Sequence, residues 1–243
     1  MPQFDDDLFL GTAPTGMGLG LGDPAPMPNG VGPVGRIYVW DTVPAAAVAN
    51  NLATAQTATS SVILTAGTSV TRTRNTIDEV VYVLDVPRAV SITGVLGTSS
   101  VTFTVSGYDI YGQAMTEAIT GPSGATTVNG TKAFKQIKTI TVSATTAANI
   151  TVGTSDVLGI PVRVTDAGYI ARVGWDNTLA ADAGTFVAAD TATATATTGD
   201  VRGTYEPSSA CDGSKRLVMG ILLPAIAVGP NATRIGALGV NQA

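Results

Sequence analysis

Asp176, Asp182, Asp190, Asp200 and Glu206 fall in one stretch that also holds Trp175 and Tyr205. Two carboxylates beside an aromatic platform are what glycoside hydrolysis requires, one to protonate the leaving oxygen and one to attack or to activate water. The plainer use of such residues, in turns and caps, is the one the sequence favours. The chain has no histidine and one cysteine, Cys211. That excludes Ser/His/Asp and Cys/His nucleophiles and every His-based zinc site, and leaves Cys211 as a small packing residue without a second thiol to share a metal. Neither Gly-x-Ser-x-Gly nor Gly-x-x-x-x-Gly-Lys occurs, so hydrolase and P-loop chemistry are not signalled. Gly16, Gly18, Gly20 and Gly22 alternate, but they follow no expected strand and open no helix, as a dinucleotide loop would. Asp5, Asp6 and Asp7 lack the spacing of a calcium loop. No catalytic residue, cofactor or metal is expected.

The net charge of −5 and the pI of about 4.6 lack the basic footprint of a phosphate-binding surface, so nucleic acid is not an expected partner. The first residues carry neither the basic nor the apolar region of a signal peptide, and without one the sequons at Asn129, Asn149 and Asn231 carry no weight. The run from Leu217 to Val228 is broken by Gly220 and Pro224 and is shorter than the roughly 20 residues of a membrane helix. It reads as a buried central strand.

The elements that must position these residues are strands. Thr, Val, Ala and Gly are abundant and only 13% of residues are charged, which favours an all-β fold. Val101, Phe103 and Val105 alternate with Thr102, Thr104 and Ser106, a half-buried strand. Val80 to Val86 is apolar on both parities, a strand covered on both sides that Pro87 is expected to end. Further strands are expected over Ser61–Val70, Ala89–Leu96, Ala114–Thr120, Ile137–Ser143, Ile150–Val152 and Leu158–Val164. Phe134, Ile137 and Ile140 are three apart, so a bulge or a helical turn should precede the strand over Ile137–Ser143. Tyr169, Ala171, Val173 and Trp175 give one more alternating face, and Thr191–Thr198 an edge strand or loop. Thr42-Val43-Pro44 followed by Ala45 to Ala49 reads as a short helix, and Thr71–Asp78 as a polar loop. The expected architecture is one or two β-sandwich, jelly-roll-like domains: an extended Gly/Pro-rich N-terminal arm over 1–40, a β-sandwich over 41–155, a second β region over 156–224 and an extended C-terminal tail over 225–243.

Several segments together resemble a pattern found in virion structural proteins of tailed bacteriophages: Asn51 to Thr57, Asp85-Val86-Pro87-Arg88, Val101 to Asp109, Tyr111-Gly112, Met115-Thr116-Glu117, Ile119-Thr120-Gly121 and Lys132-Ala133-Phe134-Lys135. The likeness covers roughly residues 50–145, and Gly199 to Tyr205 and Pro230 to Thr233 are similar to the ends of such proteins. The resemblance implies a non-enzymatic assembly protein present in many copies, located in the virion on the capsid surface and made in the host cytoplasm. Its implied partners are the major capsid protein and copies of itself. A capsid decoration, or cement, protein comes first. A tail or head–tail component follows, then a receptor- or glycan-binding virion protein that would use Tyr108, Tyr111, Trp175 and Tyr205 at loop tips.

The terminal segments are where such a protein would grip. Residues 1–40 have too few large side chains for a core of their own, yet carry apolar ones that need a surface. Phe9, Leu10, Leu19, Leu21, Ile37, Tyr38, Val39 and Trp40 are the expected interaction residues, with Ile226, Val228 and Ile235 as a second tether in the tail.

Overall fold

The computed structural model describes residues 35–96, 98–176, 178–190, 195–196, 198–224 and 241–242. They are nearly all β, in curled antiparallel sheets of a sandwich-like fold. The strands are β1 (Gly35–Thr42), β2 (Val48–Gln56), β3 (Val70–Arg74), β4 (Val80–Gly94), β5 (Thr102–Tyr108), β6 (Ala114–Thr120), β7 (Thr127–Asn129) and β8 (Phe134–Val142). They continue as β9 (Ile150–Gly159), β10 (Ile170–Trp175), β11 (Thr185–Val187), β12 (Thr195–Ala196), β13 (Thr204–Glu206), β14 (Leu217–Pro224) and β15 (Asn241–Gln242). A ten-stranded sheet runs β11-β13-β9-β4-β8-β5-β6, with β2 on β9 and β3 and β7 on β4; β1-β14-β10 form a three-stranded sheet. A two-residue parallel pair joins β12 to β15.

β4 is the hinge of this layout. Its first half pairs with β3 and β8 and its second half with β9 and β7, and the registers with β8 and β9 shift around Arg88. A strand that changes partners through such irregularities turns a corner between layers. Pro87 sits at the changeover. The expected stop there, with a separate strand over Ala89–Leu96, is corrected: the missing N–H falls where the β8 register skips from Val83 to Arg88, so the strand continues unbroken to Gly94.

β5 and β6 follow their alternation. Phe103 and Val105 are buried between half-exposed Thr102, Thr104 and Ser106, and Met115, Glu117 and Ile119 are buried between exposed neighbours. A bulge is present but lies inside β8 at Lys138 instead of before Ile137: Ser106 faces Thr139 and Gly107 faces Ile137, and the strand already begins at Phe134. A Cβ on Gly107 would collide with the Gln136 carbonyl at this point. The two backbones therefore approach as only glycine allows.

Four other expectations are corrected. The helix after Thr42 is an extended link into β2: Ala45 N donates to Asp85 Oδ2 (2.7 Å) and Ala45 O accepts from Arg88 Nη2 (2.9 Å). A single Ala-rich turn has too little propensity to compete with such tertiary bonds. Residues 61–69 hold only a bridge from Ser61 to Thr141, and the strand starts at Val70 as β3, so the polar loop expected over Thr71–Asp78 is strand as far as Arg74. Arg72 and Arg74 sit on this edge strand, where exposed charge is compatible with pairing on one side only. Ile150–Val152 and the start of Leu158–Val164 belong to one strand, β9. Its polar middle is bonded internally, with Asn51 Nδ2 on Thr154 Oγ1 (2.9 Å) and Ser155 Oγ on the Ala89 carbonyl (3.2 Å), while Asn51 Oδ1 and Asp156 Oδ1 are buried without a hydrogen-bond partner. The face expected from Tyr169 to Trp175 survives in part, since Tyr169 lies in a 3-10 turn and Ala171 is the bulged residue of β10.

One core gathers Leu52, Leu84, Ile92, Phe103, Phe134 and Ile140 with their neighbours. The other gathers Trp40, Val86, Leu158, Tyr205, Met219 and Ile221. The large sheet passes through both by way of β4 and β9, and residue 155 lies within β9.

Candidate functional site

The expected interaction residues fall in two places. Phe9, Leu10, Leu19 and Leu21, and Ile226, Val228 and Ile235 in the tail, lie outside the described residues. Ile37, Tyr38, Val39 and Trp40 form the body of β1, paired with Leu222, Ile221, Gly220 and Met219 of β14. Alternation divides them between two faces. Trp40 is 8% exposed and joins Met219 and Ile221 in the second core, with Tyr38 packed against it. Val39 points the other way and is 56% exposed, beside half-buried Ile37. Of this cluster, Val39 and Ile37 are available to another surface, whereas Trp40 is committed to its own core.

The carboxylates that could have been catalytic are engaged by their own loops. Asp182 accepts from Trp175 Nε1 (3.1 Å), Tyr205 Oη (2.6 Å), Ser208 N (3.0 Å) and Ser208 Oγ (2.6 Å). Burial pushes its pKa up, but the bonds from Ser208 and Tyr205 outweigh that and hold it below the ordinary carboxylate value. Burial, then the Asp182 bond, raises Tyr205 well above an ordinary phenol. Asp190 caps Thr198 and Gly199, Asp200 accepts from Ala133 N (3.0 Å) and Arg202 N (2.9 Å), and Asp176 accepts from Arg216 N (2.8 Å). Glu206 is exposed on β13. This is capping chemistry. Among the described residues no cluster of His, Cys, Asp and Glu could hold a metal ion.

The loop-tip aromatics are similarly occupied. Tyr205 is buried, Trp175 is half-buried, and Tyr108 donates to Glu79. Tyr111 is the exposed one, yet its hydroxyl donates to the Pro161 carbonyl (2.8 Å) and its ring lies 4.7 Å from Arg202 Cζ. An open cleft of about 340 Å³ beside Glu79 has an apolar floor of Val62, Tyr82 and Ile140. At its rim Lys138 Nζ lies 2.5 Å from Glu79 Oε1, so the two charges offset each other.

Inward-turned charge is the feature that sequence reasoning missed. Arg202 and Asp109 form an ion pair with side chains 5% and 2% exposed. Arg88, fully buried, bonds Asp85 Oδ2 (2.8 Å). Glu117 Oε1 accepts from Thr131 N (2.5 Å) and Thr131 Oγ1 (2.9 Å) beneath buried Lys132. Burial raises the Glu117 pKa and lowers that of Lys132, the latter opposed by Glu117, Asp200 and Asp190. The only local signal was the turn chemistry of Asp109-Ile110-Tyr111-Gly112, where Asp109 Oδ1 caps Tyr111 N and Gln113 N and Gly112 has φ of 77°. Comparison with family models, with curated proteins and with solved structures found no match to this chain.

Proposed function

We propose that the chain is a non-enzymatic structural component of a tailed-bacteriophage particle, a capsid decoration protein that stabilises the head by non-covalent contacts of its β scaffold and terminal segments. The observation that carries this reading is the use made of the charged residues in the phage-like segments. Buried Arg88 reaching exposed Asp85, Asp109 with Arg202, and Glu117 beneath Thr131 brace one strand or loop against another. A pattern spent on bracing supports the scaffold reading. The carboxylates of residues 176–206 agree, because those with partners in the fold cap loops. Adhesion then falls to apolar segments, each contributing about 25 cal/mol per Å² buried before ordering costs.

The test is deletion of residues 2–35 in a phage that encodes the chain. The expected product keeps the β circular-dichroism signature and the melting temperature of the scaffold but is missing from purified particles, or leaves them less resistant to heat. Normal incorporation with unchanged particle stability refutes the tether. Imaging of the particle locates the protein: density at capsid lattice axes supports decoration, and density confined to the tail supports the tail or head–tail alternative.

A further inference from the structure

The large sheet parts at one place. β4 and β8 pair at Val83 with Gln136 and at Tyr82 with Ile137, and among the described residues no pair joins them beyond that point. β8 runs on past its Lys138 bulge with β5 on one side, but its other side meets a different segment. Ser61 bridges Thr141, Val62 N donates to Ile140 O (2.8 Å), and Val142 N donates to Ser60 O (3.0 Å). A bulge disrupts the ladder and bends its strand, which parts it from a straight neighbour. The open cleft of about 340 Å³ lies in this parting, with Glu79, Val80 and Tyr82 on one wall and Lys138, Thr139 and Ile140 on the other.

One wall presents main-chain groups. Asn75 N donates to Glu79 O (3.0 Å) at the closed end of the β3–β4 hairpin, so Glu79 and, by alternation, Val81 and Val83 turn their N–H and C=O toward β3. Val80 and Tyr82 turn theirs toward β8. Tyr82 finds Ile137 there, whereas Val80 has no paired residue opposite it. An open strand segment is a template for another chain. Along β8 the opening runs from Ile137 to Thr141, about 13 Å at roughly 3.3 Å per residue, which leaves room for about three residues of extended chain.

Floor and rim decide what that chain carries. Val62, Tyr82 and Ile140 are buried in the cleft and Val80 and Leu64 are half-buried, so an apolar side chain gains by entering. The rim charges are spent on each other. Glu79 accepts from Lys138 Nζ (2.5 Å), from Asn75 Nδ2 (3.3 Å) and from Tyr108 Oη. The Lys138 bond, then the Tyr108 bond, hold Glu79 below the ordinary carboxylate pKa, and the bond to Glu79 raises Lys138, so both stay charged and offset each other. Arg72 and Arg74 stand opposite Tyr82 and Val80 on β3, but both are exposed, neither lines the cleft, and Arg74 pairs with Asp78 (3.0 Å). An ionic ligand would have to compete with pairs already formed, and a neutral one does not. A small apolar molecule would fill the floor and leave Val80 unmet. An extended chain meets both.

We propose that the parted walls of β4 and β8 are a strand-docking site for a partner protein, taking about three uncharged residues of extended chain with a β-branched apolar side chain at their centre. The chain lies along Val80 and rests its central side chain on Val62, Tyr82 and Ile140. Amide NMR of the isotope-labelled full chain, titrated with the blocked peptide acetyl-Thr-Ala-Val-Ala-Thr-amide, tests this. Saturable shifts of the Val80, Thr139 and Ile140 amides are expected. N-methylation of the three central peptide amides in turn should, at the one facing Val80, raise the dissociation constant at least about tenfold by removing a main-chain donor. Thr139→Trp and Ser61→Trp put bulk at exposed rim positions on different walls; each should abolish the shifts and leave the melting temperature nearly unchanged. No saturation up to the solubility limit of the peptide overturns the site, as do shifts that survive both Trp variants. Equal affinity of all three N-methylated peptides marks a pocket for apolar molecules and overturns strand docking, a comparison on the wild-type chain that needs no variant to fold. Equal affinity of a peptide with aspartate at its centre assigns selection to Arg72 and overturns the uncharged occupant. The site belongs to the β scaffold alone, so its failure is separable from that of the tether, which the deletion of residues 2–35 reads in the particle.

Discussion

Replacing Arg202 with Met should destabilise the fold more than any surface change, and the amount follows from what its guanidinium touches. It is the counter-ion of Asp109, a carboxylate 2% exposed, and lies 4.7 Å from the Tyr111 ring. Its backbone meanwhile bonds Asp200 Oδ1 at 2.9 Å, so one residue ties the β5–β6 hairpin to the segment entering β13. Removing one partner of a buried pair costs about 3–5 kcal/mol, and the cation–π contact adds up to about 1 kcal/mol. For a chain of this size each kcal/mol moves Tm by about 2–4 °C, so a fall of roughly 6–24 °C is expected. Asp109 has a second duty, accepting from Tyr111 N (2.8 Å) and Gln113 N (2.9 Å). Asn at 109 keeps that acceptor without the charge. Arg202→Met combined with Asp109→Asn should therefore recover at least about half of the single-variant loss. Urea unfolding with an unchanged m-value measures each corner of the cycle. Additivity of the two single effects within about 0.5 kcal/mol would refute the buried-pair account.

Gly107→Val should cost about 3 kcal/mol, the top of the overpacking range, because the Lys138 bulge brings the Gln136 carbonyl onto that position, whereas Gly124→Ala meets nothing within 4 Å and should be neutral in the same melts. Burial raises the pKa of Glu117 in the folded state, so more protons are bound folded than unfolded, and stability should fall as pH rises from the ordinary carboxylate value through the raised one. Glu117→Gln should flatten that slope in urea melts carried upward from the ordinary carboxylate range, and an unchanged slope assigns it elsewhere. Burial, then Asp156, pushes the Cys211 thiol up to about 12; a thiol reagent at neutral pH should label it only on unfolding, and fast labelling of the folded chain contradicts its placement.

The strands that could be read from the sequence are those in which one period governs one environment. β6 was expected over Ala114–Thr120 and spans those residues, and β5 follows the alternation expected of Thr102 to Ser106, because each has one buried face. β4 was misread because it changes environment along its length, and no local rule announces that a proline will fall at a change of partner. β2 was misread for a different reason. Its Ala-rich lead-in has weak helical propensity, while the bonds that keep it extended come from Asp85 and Arg88, about 40 residues away.

The bracing charges were hidden for the same physical reason. Asp109 and Arg202 are 93 residues apart, and composition reads a sparse charge as surface because an unpaired one cannot be buried. Gly220 poses the sharper conflict. In the sequence it interrupts an apolar run and reads as a weak point of a central strand, so local propensity forecasts that Gly220→Val is stabilising and otherwise silent. In the sheet it lies between Ile37 and Ala171 and opposite Arg172 of β10, neighbours set by pairings across the sheet that no local rule announces.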